Sequence, residues 1–230
     1  MAKMGKYQLR HELKYIIPEG EYALLRDKLM AIMPLDNHAD PATRSYFIRS
    51  LYFDDIDNTA LTEKEAGVQV RSKWRIRTYT SGSIHLEKKM KFNQMTAKDS
   101  LTISSRQADT LIAGNWYNIP LRKHPLLDEL YSLTRTRLLR PIVLVDYWRE
   151  PYTFPAGNVR VTFDKDVHSG QFCHNLYAKD MMPIPVLEPG TLIMEVKYDD
   201  FLPAHIGGIL HSVRGSRLAI SKYALSRGTH

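Results

Sequence analysis

Residues 71 to 91 alternate too regularly to form anything but a β-hairpin. Arg71, Lys73, Arg75, Arg77 and Tyr79 share one parity while Trp74 and Ile76 take the other, and on the return His85, Glu87, Lys89 and Lys91 oppose Ile84, Leu86 and Met90. A repeat of two is that of a strand with one polar and one apolar face. A two-residue turn at Ser81 and Gly82 would set Arg77 beside Leu86, whereas a three-residue loop with Gly82 at positive φ brings the two cationic faces into line. Like charges directly opposite one another destabilise a sheet, so that face needs compensation. Solvent screening on an outer surface is one source, and a bound anion is the other.

The same parity recurs along the chain. In YQLRHELKYII, Tyr7, Leu9, Leu13 and Tyr15 oppose Gln8, Arg10, Glu12 and Lys14, while TRSYFIRSLYFDD, AKDSLTISS, PIVLVDYWRE, GNVRVTFDKD and GTLIMEVKYDD read as further strands. Their polar faces repeat the pattern: Lys98 with Ser100 and Thr102, Arg149 with Tyr147, Arg160 with Thr162 and Asp164, Lys197 with Glu195. Helical spacing marks 18–33, 58–66, 106–112, 126–134, 203–211 and 216–226, with Pro18 suited to a helix start and Asp57 or Ser216 to a cap. The expected fold class is α+β with strands dominating, in one domain over residues 1–230. The Pro-rich KDMMPIPVLEPG reads as an irregular surface loop. A sheet closed into a barrel would turn all these polar faces inward and leave the apolar ones for helices to cover. Its lumen would be a wet, basic tunnel carrying a few carboxylates.

The excess of 32 Lys and Arg over 25 Asp and Glu, formally +7, suits an anionic partner such as nucleic acid, a phosphate compound or an acidic membrane surface. A binder of single-stranded nucleic acid sets stacking aromatics among its basic residues on one face. Trp74 lies opposite Arg75 and Arg77, so no nucleic acid is expected. Cys173 is the only cysteine, which excludes an internal disulfide, gives no sign of a zinc cluster and fits a reducing cytosol. No apolar run approaches the ~20 residues of a membrane helix, so the chain reads as soluble and cytoplasmic. It has no P-loop and no kinase motif set. DDIDNT lacks the Gly and the distal Glu of a calcium loop, and no histidine is assigned to catalysis.

RHELKYII, RSKWRIRTY, HLEKKMK, DYWRE, VRVTFD, LIMEVKYDD and ISKYAL follow one another in the order expected of the VTC domain, and over nearly its whole length the chain resembles that family. This is the polyphosphate polymerase branch of the CYTH-like triphosphate tunnel metalloenzymes. The resemblance implies an eight-stranded antiparallel β-barrel tunnel with flanking helices and a divalent metal, Mn²⁺ or Mg²⁺, on tunnel carboxylates. It implies catalytic roles for Arg75 and Arg77, as paired arginines on nucleotide phosphates, and for Lys89 and Lys222. Substrate binding is implied for Lys14, Lys98, Tyr147, Arg149, Arg160, Lys197 and Ser221, and metal binding for Glu195. The implied activity is a metal-dependent phosphotransfer that moves the γ-phosphate of ATP onto polyphosphate; the implied partners are ATP, polyphosphate, pyrophosphate or triphosphate. The wider superfamily opens with Glu-x-Glu-x-Lys, where this chain has Arg10, Glu12 and Lys14. Loss of the first carboxylate favours the polymerase branch over a two-metal hydrolase. Eukaryotic relatives add a phosphate-sensing domain and membrane helices, so this chain resembles a stand-alone bacterial-type form, with a membrane partner and the oligomeric state left open.

Phosphoryl transfer depends on in-line positioning and on neutralising charge at the non-bridging oxygens, and a cationic tunnel supplies both. Plainer readings stand beside these roles. Glu195 next to Lys197 is also a salt-bridge geometry, Glu87 amid Arg75, Lys89 and Lys91 reads as a structural counter-ion, and Glu12 is open between the two. Lys222, beside Leu218, Tyr223 and Leu225, would otherwise be a solvated lysine. Two other activities share the basic lumen: a metal-dependent triphosphatase, and a module that binds polyphosphate or nucleotide without turnover.

Overall fold

The opening hairpin has the anticipated register. In the computed structural model, which describes residues 3–5, 7–116, 119, 123–170, 173–178, 182–214 and 218–228, Arg71 pairs with Lys91, Lys73 with Lys89, Arg75 with Glu87 and Arg77 with His85. Residues 80–82 form the loop, with Gly82 at φ +79° and its N–H donating to the Tyr79 carbonyl. Left-handed backbone carries little cost for glycine because it has no Cβ.

Eight long strands follow the period-two segments: β1 (Arg10–Pro18), β2 (Tyr46–Asp54), β3 (Val70–Tyr79), β4 (Ile84–Phe92), β5 (Met95–Ile103), β6 (Arg140–Phe154), β7 (Val159–Gly170) and β8 (Thr191–Tyr198). They pair antiparallel in the order β1, β5, β4, β3, β2, β6, β7, β8, and β8 returns to β1, so the sheet closes into a ring. The shortest joint is β1 with β5, which pairs only Arg10 with Thr96 and His11 with Met95. Two-residue strands add a small ribbon (Lys3–Met4 with Tyr7–Gln8) and a strand, Ile184–Pro185, against β7.

The helices are α1 (Glu19–Met30), α2 (Thr59–Glu65), α3 (Ser105–Ile112), α4 (Pro125–Thr136), α5 (Ala204–His211) and α6 (Lys222–Ser226). Trp74, Ile76 and Leu86 on the outer face of the hairpin pack with Leu111 of α3 and Leu126, Leu127 and Leu130 of α4. Around the ring, Ile17, Phe163 and Met194 pack with Leu25 and Leu29 of α1 and Ile206 of α5. Each such side chain contributes about 1.5–3 kcal/mol on burial, so the two apolar coats hold the cationic faces inward against their repulsion.

The lumen differs from expectation on one side. Ile48, Val143, Val145, Val167 and Ile193 also face inward, and Ile220 and Tyr223 pack onto them with Tyr52 and Tyr147. The C-terminal segment therefore plugs part of the ring with apolar side chains and leaves the polar residues on the remaining wall.

Two local expectations change. The carboxylates that cap α2 are those of Asp54 and Asp55, not Asp57: Asp55 accepts from the Thr59 N–H, and Asp54 from the N–H groups of Ala60 and Leu61. The turn from Asp54 to Asn58, which has φ +54°, folds the strand end beneath the helix start and puts those two side chains there. Ser216 lies outside the described residues, and helix begins at Lys222, with the Ser221 side chain as its cap. At the far corner Gly157 has φ +73°, and a Cβ there would sit 2.4 Å from the Phe201 carbonyl oxygen. This close approach brings Asp199 beside Asn158 and Arg10.

Candidate functional site: a basic tunnel

Period two places alternate residues of each strand inside, and ring closure makes distant strands face one another. Eight basic side chains of the strands, Lys14, Lys73, Arg75, Arg77, Lys89, Lys98, Arg149 and Lys197, thereby join Lys222 of α6 around four carboxylates, Glu12, Glu87, Asp164 and Glu195. Neighbouring strands deliver opposite charges in register: Arg75 faces Glu87, and Glu195 faces Lys14.

Three clusters share the wall. In the first, Arg75 donates through Nε and Nη2 to Glu87 at 2.7 and 2.6 Å and through Nη1 to the Tyr52 hydroxyl at 3.0 Å. Arg77 donates to Ser50 Oγ and to the Tyr147 hydroxyl, with its Nη1 3.8 Å from Glu87. In the second, Arg149 grips Asp164 side-on at 2.6 and 2.7 Å and reaches Glu195 at 3.2 Å, while Lys222 meets the same aspartate at 2.5 Å. In the third, Lys89 donates to both oxygens of Glu12, and Lys14 and Lys197 each lie within 4 Å of Glu12 and Glu195.

Burial acts first on Asp164, Glu195, Lys14 and Lys73, and their neighbours then decide the outcome. It would raise Asp164, but Arg149 and Lys222 hold that carboxyl down at about 2. Glu195 is held well below the usual carboxylate range by Lys197 and Lys14. Burial would lower Lys14, yet Glu12 and Glu195 raise it. Among the described residues no carboxylate lies within ion-pair distance of Lys73: it donates to Ser221 Oγ at 3.2 Å and lies over the Tyr52 ring. Burial, with Lys14, Lys89 and Arg75 nearby, pushes it down to about 7.

A polyanion that binds at Lys73 should recharge it, taking up a proton above pH 7. Tripolyphosphate affinity is expected to weaken as pH rises from 7, by up to about tenfold per unit for this one group. Calorimetry at pH 8 in two buffers of different ionisation enthalpy reads that uptake directly; identical heats would remove Lys73 from the binding site. For folding the sign is opposite. The unfolded chain protonates this lysine near its ordinary 10.5, so the group costs stability that accrues as pH falls from there to about 7.

Two cavities meet at Lys89. The wider, about 530 Å³, is lined by Arg10, Arg75, Arg77, Arg149 and Arg160 with Lys89, Lys98 and Lys197. The tighter, about 100 Å³, is lined by Lys14, Lys64, Lys73, Lys89 and Lys91 with Arg71, under the segment Leu218–Ser221. Arginine, whose planar fork suits bidentate phosphate contact, dominates one end, and lysine, a compact point charge, the other.

The structure gathers eleven of the twelve residues singled out from sequence along this lumen: Lys14, Arg75, Arg77, Lys89, Lys98, Tyr147, Arg149, Glu195, Lys197, Ser221 and Lys222. Lys98 sits half-exposed at the wide mouth. Lys222 is buried against Asp164, which is not the setting of a solvated lysine. Arg160 stands at the rim of the wide cavity, donating to the Tyr46 hydroxyl at 2.9 Å and paired with Asp36 at 3.0 Å. Asp164, Tyr52 and Lys73 were not assigned roles from sequence. Parity marks Asp164 and Lys73 as inward-facing, but no sequence signal pairs Asp164 with Lys222.

For a divalent metal the donors are Glu12 and Glu195, whose carboxyls are close enough to hydrogen-bond each other. No group of three or more His, Cys, Asp or Glu among the described residues is placed to hold a metal. Mg²⁺ is commonly bound by one or two carboxylates completed by substrate phosphates and water, so this pair fits a metal that arrives with phosphate.

The comparisons agree with this geometry. Solved structures with the same fold include a candidate adenylate cyclase from Bacillus halodurans (15% identity, 90% of this chain and 88% of that one, TM-score 0.53). A second is the candidate adenylyl cyclase HpAC1 from Hippeastrum, described as having a dominant triphosphatase activity (12% identity, 96% and 95% covered, TM-score 0.53). A third is the PH1819 protein of Pyrococcus horikoshii (12% identity, 96% and 99% covered, TM-score 0.50). No match is found among curated proteins. The family model of the VTC domain matches residues 9–229. The chain belongs to the VTC domain family.

Proposed function

We propose that the protein is a metal-dependent phosphotransferase that moves the γ-phosphate of ATP onto a polyphosphate chain within the tunnel. The observation that carries this reading is the closed ring that encloses nine basic side chains and four carboxylates, opening into an arginine-lined and a lysine-lined cavity. The nucleotide triphosphate sits among Arg75 and Arg149, held by Glu87 and Asp164, and Arg77, held by the Ser50 and Tyr147 hydroxyls. The chain's terminal oxygen, already ionised, attacks the γ-phosphorus in line as the bond to the β-phosphate oxygen breaks and ADP leaves, so no protein base is needed. Lys89, at the meeting of the cavities, and Lys222 offset charge on the transferred group, and the lysine end accepts the lengthening chain. Mn²⁺ or Mg²⁺ held by Glu195 and Glu12 would supply Lewis-acid charge stabilisation at the phosphate oxygens.

Hydrolysis is the second reading, favoured by the triphosphatase activity described for the Hippeastrum neighbour. Arg10 argues against it. It occupies the position of the first carboxylate in the hydrolytic pattern and lines the wide cavity, held by Asp199 at 2.7 Å and the Asn158 carbonyl at 2.6 Å. A cation there attracts an anionic acceptor and gives water no base. Incubation with radiolabelled ATP, Mn²⁺ and a polyphosphate primer decides the matter. A ladder of chains is expected; orthophosphate alone would replace the polymerase reading with the triphosphatase.

A further inference from the structure

Glu87 is a carboxylate at the centre of the grip assigned to phosphate. It is 1% exposed, and both of its oxygens are engaged: Oε2 by Arg75 at 2.7 and 2.6 Å, and Oε1 by Lys98 at 2.6 Å. Arg77 is near, at 3.8 Å, but beyond hydrogen-bond reach. A carboxylate that takes two side-on N–H groups from an arginine and a third bond from a lysine makes the contacts a phosphate oxygen pair would make. Burial alone would raise its carboxyl, and Arg75, Arg77 and Lys98 instead hold it well below the usual range, so it is anionic at neutral pH.

We infer that Glu87 is the grip's own anion, which a polyphosphate must outcompete for Arg75, Arg77 and Lys98, and that this competition lowers affinity so that a bound chain releases and advances. The inference rests on the tunnel reading above. Tight binding that is equal for every position of a chain does not speed transfer. A polymer passing through a lumen with many cations would be held at each step unless an internal anion took back those cations behind it. Lys98, half-exposed at the mouth, is the group a phosphate meets first; Arg75, bonded to Glu87 through two nitrogens, exchanges its partner last.

The rival role is positioning, in which Glu87 only fixes the Arg75 plane. The two roles predict opposite signs. Calorimetric titration of tripolyphosphate at fixed ionic strength should show Glu87→Gln binding at least about tenfold tighter than the native protein, with dissociation slowed by a similar factor, because a charge-assisted competitor has been removed. Glu87→Asp, which keeps the charge, should stay within about threefold of native affinity. If Glu87→Gln fails to fold, the comparison moves to the Lys98→Gln background, where the double variant restores the charge balance and should again bind tighter than Lys98→Gln alone. Equal or weaker binding in the folded Glu87→Gln or double variant overturns the inference and leaves positioning. Absence of tripolyphosphate binding by the native protein would instead overturn the functional reading.

Discussion

Arg149→Ala is expected to lower kcat/KM for ATP by about a thousandfold, the upper range for loss of one positioned donor to developing charge, and to destabilise the fold as well. Arg149 joins Asp164, which has no exposed surface, to Glu195 through one guanidinium. Its removal leaves Asp164 with Lys222 as its remaining close cation and leaves Glu195 to the lysines. Breaking a buried ion pair from one side costs about 3–5 kcal/mol. Denaturant melting should register that loss, and steady-state kinetics the first. Arg149→Lys separates them: it keeps a positive charge near Asp164 but cannot make the side-on pair, so stability should partly return while kcat/KM stays low. A kcat/KM within threefold of native in both variants would remove Arg149 from the site.

Glu195→Gln should leave tripolyphosphate binding intact while metal-dependent turnover falls by about a hundredfold, since a bound metal contributes several kcal/mol of charge stabilisation in such transfers. The substitution keeps the shape and removes one of the two adjoining carboxylates. Lys14, Lys197 and Arg149 lose an ion-pair partner and become more available to phosphate, so binding has no reason to weaken. The diagnostic is a Mn²⁺ titration of turnover, in which the variant's curve should be displaced to higher metal and reach a lower plateau. A curve that overlays the native one would assign Glu195 to ion pairing only.

Much of this was legible from sequence because a strand's parity is a physical address. Arg75 and Arg77 opposite Trp74 and Ile76 define an inside and an outside before any coordinates exist, and Gly82 fixes the register of the return strand. The pairing of charges across the ring was not legible. Asp164 meets Lys222, 58 residues further along, because β7 and the C-terminal segment converge, and no local periodicity encodes that. Arg160 obeys parity yet turns to Asp36 and Tyr46 at the rim. The apolar plug was missed for a related reason: Ile48, Val143 and Val145 lie on the inward face, and their partners, Ile220 and Tyr223, arrive from the end of the chain. The Asp57 cap failed on turn geometry, since the left-handed Asn58 shifts the helix start relative to the carboxylates behind it.

The hairpin's strict alternation also sets how such a protein can vary over evolution. Where a scaffold carries its chemistry on loops, insertions remodel the site and spare the framework. Here the framework's inner wall is the site. Deleting one residue within β3 would rotate Trp74 and Ile76 inward and Arg75 and Arg77 into the coat beneath α3 and α4, exchanging the two faces at once. Single-residue length changes in the strands are therefore open to such a lineage only where a bulge absorbs them, as between Asp146 and Trp148. New specificities are reachable through point exchanges at inward positions or through remodelling of the mouths, where the loop before β3 and the segment Leu218–Ser221 can change length without altering any strand's phase.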